Sequence, residues 1–296
     1  MLPLERAKLS LDGLSVGDAF GEKFFGVPER VLKAIMKREV PESPWFFTDD
    51  TVMALGIVEV LEREGSIQQD RLAEIFARNY QRDPQRGYGG MAHRILQDIG
   101  QGFYWKRITH QVFDGMGSYG NGGAMRVAPV GAFFAEDFDQ VVEQSRRSAE
   151  VTHGHPEGQA GAIAVAVAAA WAYQHREKKE NPIKLLEAVL KHTPEGQTRE
   201  GIEKALSLPF SSSILKAAIL LGAGNLVSAQ DTVPFCLWCS ARHLYDYSEA
   251  LWSTVTGLGD RDTTCAIVGG IVSLSTGYSG IPEKWLSARE SLMDWK

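Results

Sequence analysis

Cysteine is scarce in this chain: only Cys236, Cys239 and Cys265 occur in 296 residues. An odd, sparse set excludes a disulfide scaffold and suits a reducing cytoplasm. Strong charge of either sign is missing too. Thirty-one basic against 37 acidic residues leave a net charge of −6, with no Lys/Arg-rich cluster. A basic footprint for nucleic acid is thereby excluded. Long apolar runs are absent as well. The longest, Gly161 to Tyr173, is Ala-rich and falls short of the ~20 residues a spanning helix needs. The first residues lack the apolar stretch of a signal peptide. A cytoplasmic monomer with no membrane partner is expected. Thirty glycines and 12 prolines are near average, which excludes collagen-like and linker-dominated chains. With 44% hydrophobic residues, burial suffices to offset ordering entropy, so disorder is excluded.

What is present is helical periodicity. Leu55, Val58, Leu61 and then Leu72, Ile75 and Phe76 recur at three- and four-residue spacing, as do Leu185, Leu186, Val189 and Leu190. Sustained alternation and a βαβ rhythm are both missing, which argues against a sheet. About a dozen helical segments are expected, broken at places such as Gly117–Gly123 and Lys191–Gly196. No break reads as a domain linker. The polar run from Arg176 to Asn181 reads as a helix end plus a loop. One all-α domain over residues 1–296 follows.

Two acidic clusters stand at the starts of apolar helices. The first is Thr48-Asp49-Asp50-Thr51, the second Asp260-Arg261-Asp262-Thr263-Thr264. Helix capping explains one acid or hydroxyl at such a place. Adjacent carboxylates repel, however, and a divalent cation would compensate them. Four carboxylates with neighbouring hydroxyls are hard oxygen donors, suited to Mg²⁺ or Mn²⁺ and not to the N/S ligation zinc prefers. Between the clusters lies Gly115-Met116-Gly117-Ser118-Tyr119-Gly120-Asn121-Gly122-Gly123. Five glycines let the backbone approach a ligand closely, and successive amides form an anion nest. An ordinary turn is the alternative.

Five motifs occur in one order: Gly17-Asp18-Ala19-Phe20-Gly21, Thr48–Thr51, Gly117–Arg126, Thr152-His153-Gly154-His155 and Gly259–Thr264. Together they resemble the ADP-ribosylglycohydrolase family over roughly residues 10 to 275. The resemblance implies a compact, single-domain orthogonal helix bundle with a central metal-containing cleft. It implies two Mg²⁺ or Mn²⁺ ions held by Thr48, Asp49, Asp50, Asp260, Asp262 and Thr263. The implied reaction is hydrolysis of the C1″ bond between ADP-ribose and an acceptor, either a protein side chain or a small molecule. Gly117, Ser118, Tyr119, Gly120 and Asn121 would wrap the diphosphate and ribose, with His153 touching the substrate. Asp49 or Asp50 would double as base, while Asp18 would be structural support.

Two departures stand out. Most members carry Thr where Arg261 stands; alternate side chains on an extended segment oppose each other, so Arg261 is expected to face away from the cleft. The serine-linkage branch carries a glutamate at the place of Phe25, and Glu22 is the nearby candidate for general acid/base. A catalytically silent ADP-ribose sensor or immunity protein, or a structural member of the same fold, is the alternative function.

Other signals are weaker. Cys236-Leu237-Trp238-Cys239 reads as core. His155 reads as a loop residue. Leu221-Gly222-Ala223-Gly224 lacks a preceding strand and the third glycine of a dinucleotide fingerprint. Trp45 reads as core or as a cleft wall.

Overall fold

The computed structural model describes residues 1–295. Its helices are α1 Pro3–Glu22, α2 Pro28–Lys37, α3 Asp49–Glu64, α4 Gln69–Arg82, α5 Gly90–Gly100 and α6 Trp105–Gln111. There follow α7 Gly122–Met125, α8 Ala128–Phe133, α9 Phe138–Glu150, α10 Pro156–His175, α11 Ile183–His192 and α12 Gln197–Ser207. The last are α13 Ile214–Leu221, α14 Ala229–Arg242, α15 Tyr247–Val255, α16 Arg261–Thr276 and α17 Glu283–Ala288. Among the described residues there is no sheet, only two isolated bridges. The all-α reading holds, with seventeen α-helices among the described residues where about a dozen were expected. The surplus is short pieces such as α7 and α8, of four and six residues. These are too brief to show a periodic stripe.

Helix α10 forms the central post. It is apolar all round, so it can only be stable if covered on every side. Helices α7, α8, α9, α11, α14 and α16 supply that cover. Its Ala-rich run from Ala162 to Ala170 is fully enclosed. Small side chains let these neighbours approach closely.

The most extensive helix pair is α1 against α16. Gly13, Gly17 and Gly21 lie four apart on one face of α1. A Cβ on Gly17 would stand 2.1 Å from the Cys265 carbonyl oxygen, and one on Gly21 2.2 Å from that of Arg261. The two backbones therefore touch with no side chain between them. Beside this contact Phe20 stacks on Trp285, with ring centroids 4.8 Å apart, and meets Phe24, Trp45 and Trp252. Trp45 is fully buried there, so of its two readings the core one holds. Cys236 and Cys239 are likewise enclosed in α14. Burial pushes both thiols up, that of Cys239 to about 12. The helical segment ends as expected at His175, ahead of the polar run. Among the described residues no helix is long and apolar enough to cross a membrane.

Candidate active site

The start of α3 decides between capping and ligation. Thr48 occupies the N-cap but makes no side-chain capping bond. Its hydroxyl lies 2.9 Å from Asp18 Oδ1 and 3.0 Å from Asp50 Oδ2. One proton cannot serve two ionised carboxylates. Asp18, fully buried in α1, accepts from the Thr48 and Thr51 amides and from both hydroxyls. Four donors on one carboxylate make Asp18 a clamp that fixes the start of α3, the support role expected of it. Burial still raises its pKa, to about 6.

The start of α16 repeats the pattern. Asp260 is the N-cap and again makes no capping bond. Its Oδ2 accepts from Asn121 Nδ2 at 2.7 Å instead. Thr263 points its hydroxyl toward Asp50 Oδ2 at 3.5 Å. The close approach of α1 and α16 thus brings the two acidic clusters together across some 210 residues of chain. Burial, then Asp18 and Asp260, raise Asp49 to about 8. Asp50 and Asp262 are pushed well above the carboxylate range, first by burial and then by neighbouring aspartates. Buried Asp50 Oδ1 and Asp262 Oδ1 have no hydrogen-bond partner. Buried oxygens of this kind cost free energy unless something satisfies them.

Arg261 turns away, as expected. Its guanidinium donates to the carbonyls of Phe24 and Leu258 at 3.0 and 2.9 Å and lies over the Phe25 ring at 4.9 Å. The two departures from the family pattern are therefore in contact with each other, outside the carboxylate cluster. Glu22 stands solvent-exposed at the last residue of α1. Its pKa is raised by partial desolvation and by Asp260.

The glycine-rich segment lies alongside. Gly117 has φ +78°, and a Cβ there would meet the His155 amide at 2.6 Å. Ser118 Oγ accepts from the Gly120 amide at 3.2 Å. Tyr119 stands partly exposed, its ring 5.4 Å from His155 and 5.9 Å from Phe113. Asn121 reaches from this loop into the acidic cluster through Asp260. His153 is buried with its ring beneath Gly120 and Gly122. His155 caps α10, its Nδ1 accepting from the Glu157 amide. Of the substrate-loop residues named from sequence, Asn121 bonds Asp260 directly, while Gly117, Ser118, Tyr119 and Gly120 adjoin His153 or His155.

One neighbour was missed. The Gly222–Val227 segment, dismissed as a failed fingerprint, is a wall of the same region. Asp260 N donates to Ala223 O at 2.9 Å, and Asn121 N donates to Val227 O at 3.2 Å. A Cβ on Gly224 would stand 2.5 Å from Asp260 Cβ. Gly222 and Gly224, both with positive φ, were the available signal, but only the tertiary structure shows what they lie against. A separate cavity of about 1070 Å³ opens between α1, α3, α4 and the C-terminal turn. On its walls Lys8 pairs with Glu62, and Arg63 and Arg78 pair with Glu59. Asp18, Asp49, Asp50, Asp260 and Asp262 do not line it.

The all-helical fold thus gathers buried oxygen donors from two helix starts beside a glycine-rich loop. The ADP-ribosylglycohydrolase family pattern matches residues 2–295. ADP-ribosylhydrolase ARH3 of Xenopus tropicalis is 30% identical, covering 98% of this chain and 93% of its own. The human protein of that name is 28% identical, over 97% and 90%. ADP-ribosylarginine hydrolase Tri1 of Serratia proteamaculans is 24% identical, over 96% and 75%. A solved chain of an ADP-ribosylglycohydrolase-related protein complex shares the fold, with TM-score 0.69 at 23% identity, covering 99% of this chain and 95% of that one. The chain belongs to the ADP-ribosylglycohydrolase family, and the enzyme reading of its sequence stands with that membership.

Proposed function

We propose that this protein hydrolyses the C1″ glycosidic bond between ADP-ribose and its acceptor, with divalent cations in the aspartate cluster. The observation that carries the reading is the abandonment of capping. Two helix N-termini turn their cap side chains, Thr48 and Asp260, away from their own amides and toward other site residues. The donor chemistry fits Mg²⁺ or Mn²⁺: every oxygen offered is carboxylate or hydroxyl, and two of the buried ones lack partners. Among the described residues no group of three or more His, Cys, Asp and Glu side chains is already arranged to hold an ion. Loading two ions on Thr48, Asp49, Asp50, Asp260, Asp262 and Thr263 is therefore proposed to rearrange these side chains. Such ions would supply charge neutralisation, a grip on ribose hydroxyls and an acidified water.

The chain's own residues supply the rest. Within Gly117–Asn121 the amides of Gly117, Gly120 and Asn121 already donate inside the protein, so those of Ser118 and Tyr119 are the ones proposed to meet the diphosphate, without adding charge. Tyr119 offers a ring face at the outer end. Bond cleavage passes through an oxocarbenium-like state and needs a base for water and an acid for the leaving group. Asp49 or Asp50 is proposed for the first role. Glu22, solvent-exposed at the end of α1 with its pKa raised, is proposed for the second. The working form is proposed to be a single-domain cytoplasmic monomer. It acts on an ADP-ribosylated protein or an ADP-ribose-containing small molecule, without nucleic acid or a membrane.

The test is release of free ADP-ribose from arginine-, serine- and O-acetyl-linked substrates, with Mg²⁺, Mn²⁺ or chelator, beside an Asp49→Ala/Asp50→Ala control. Metal-dependent release lost in the control supports the reading and identifies the acceptor. Binding of ADP-ribose without release from any substrate would refute it in favour of a sensor.

A further inference from the structure

Beneath the glycine loop, the hydrogen-bond directions determine where one proton sits. Arg126 follows α7 directly and is fully buried. Its Nη2 donates to the Ser148 carbonyl at 3.0 Å and to Thr152 Oγ1 at 2.8 Å. The guanidinium lies over the Phe76 ring at 4.6 Å. No carboxylate stands within ion-pair distance of it among the described residues. Burial lowers its pKa to about 9, partly opposed by Asp49, so it is charged at neutral pH.

Thr152 Oγ1 is also 2.7 Å from His153 Nδ1. A guanidinium only donates, so the Thr152 oxygen accepts from Arg126 and keeps its own proton to give. Among the described residues that hydroxyl has no other acceptor than His153 Nδ1. Nδ1 is therefore the bare nitrogen, and in a neutral imidazole the proton then sits on Nε2. Neutrality is enforced by surroundings: burial, then the Arg126 charge, lower the His153 pKa to about 3.

The far side of the ring faces the loop. A Cβ on Gly120 would stand 3.3 Å from His153 Nε2, and one on Gly122 would stand 3.0 Å from Cε1. Those two glycines leave the nitrogen uncovered, and Nε2 has no partner among the described residues. We infer that Arg126 and Thr152 are positioning residues that lock His153 as the neutral Nε2–H tautomer, a fixed and uncharged donor to a phosphate or ribose oxygen of ADP-ribose. A neutral donor binds such an oxygen without adding a second buried cation beside the Arg126 guanidinium, which already interacts with Asp49. The ligand named here rests on the proposed function; the tautomer does not.

The test reads both. Long-range ¹H–¹⁵N spectra of the ligand-free protein, with His153 assigned by its loss in His153→Gln, should show Nδ1 unprotonated and Nε2 protonated between pH 5 and 8. Thr152→Val removes the relay and should release the tautomer, with ADP-ribose affinity in Mg²⁺ falling about tenfold by calorimetry. Thr152→Ser should restore both. A protonated Nδ1 in the native protein would overturn the inference, as would a Thr152→Val protein with unchanged ring shifts and affinity. If Thr152→Val does not fold, the native spectrum and Thr152→Ser still decide it. Failure of the native protein to bind ADP-ribose would count against the functional reading alone, because the ring shifts need no ligand.

Discussion

Gly17→Ala is the smallest change that tests how the site is assembled. The new methyl carbon would stand 2.1 Å from the Cys265 carbonyl oxygen and 2.7 Å from its carbon. Carbon contacts relax only near 3.5 Å, so α1 and α16 must part by about 1 Å or more. Neither group is a flexible side-chain end, and the two helices are held from behind, α1 by α8 and α16 by α10 and α8. Overpacking of this kind costs about 1–3 kcal/mol, and an unyielding backbone puts it at the upper end. Alanine returns about 1 kcal/mol through helix propensity. The expected net loss is about 2 kcal/mol. The same shift carries Asp18 and Asp262 apart, so ADP-ribose release should fall further than stability does. The assay is a urea unfolding midpoint in chelator, with Gly90→Ala as control because a Cβ there meets nothing within 4 Å. Equal or greater stability of Gly17→Ala than native would refute the backbone contact.

Three further outcomes are expected. In chelator, the contribution of Asp18 and Asp49 to stability should be fully present below about pH 4, the unfolded carboxylate value. It should fall as pH rises through about 6 for Asp18 and about 8 for Asp49, because folded carboxyls with raised pKa hold protons that the unfolded chain releases. Melting temperatures that rise steadily across that window would contradict the buried cluster. Glu157→Ala should cost about 1–2 kcal/mol in urea titration, since its carboxylate accepts from the Gln197 and Thr198 amides and the Thr198 hydroxyl at the start of α12. Arg261→Thr should lower stability by about 1 kcal/mol through two lost carbonyl bonds while leaving kcat within about twofold, and a large loss of kcat would mean that the side chain enters the cleft.

The helical class, the buried character of α10, the core placement of the CxxC cysteines and the two acid–hydroxyl clusters were all legible in the amino-acid order. Each is a local matter of periodicity, side-chain size or spacing along a few turns. What local order does not carry is the partner of a side chain when that partner is far away in the chain. Thr48 and Thr51 have the look of an ordinary helix start until Asp18, thirty residues earlier, accepts their protons. Asp260 would cap α16 were Asn121 not there to take its oxygen. The Gly222–Val227 wall, the contact of the outward-turned Arg261 with Phe25 and the Arg126–Thr152–His153 relay likewise depend on which helices meet. That choice follows from the glycine face of α1, which lets α16 approach to backbone contact and so sets carboxylates from both ends of the chain in one buried place. Sequence alone determined which oxygens are available; the packing of α1 on α16 decided that they face one another instead of capping their own helices.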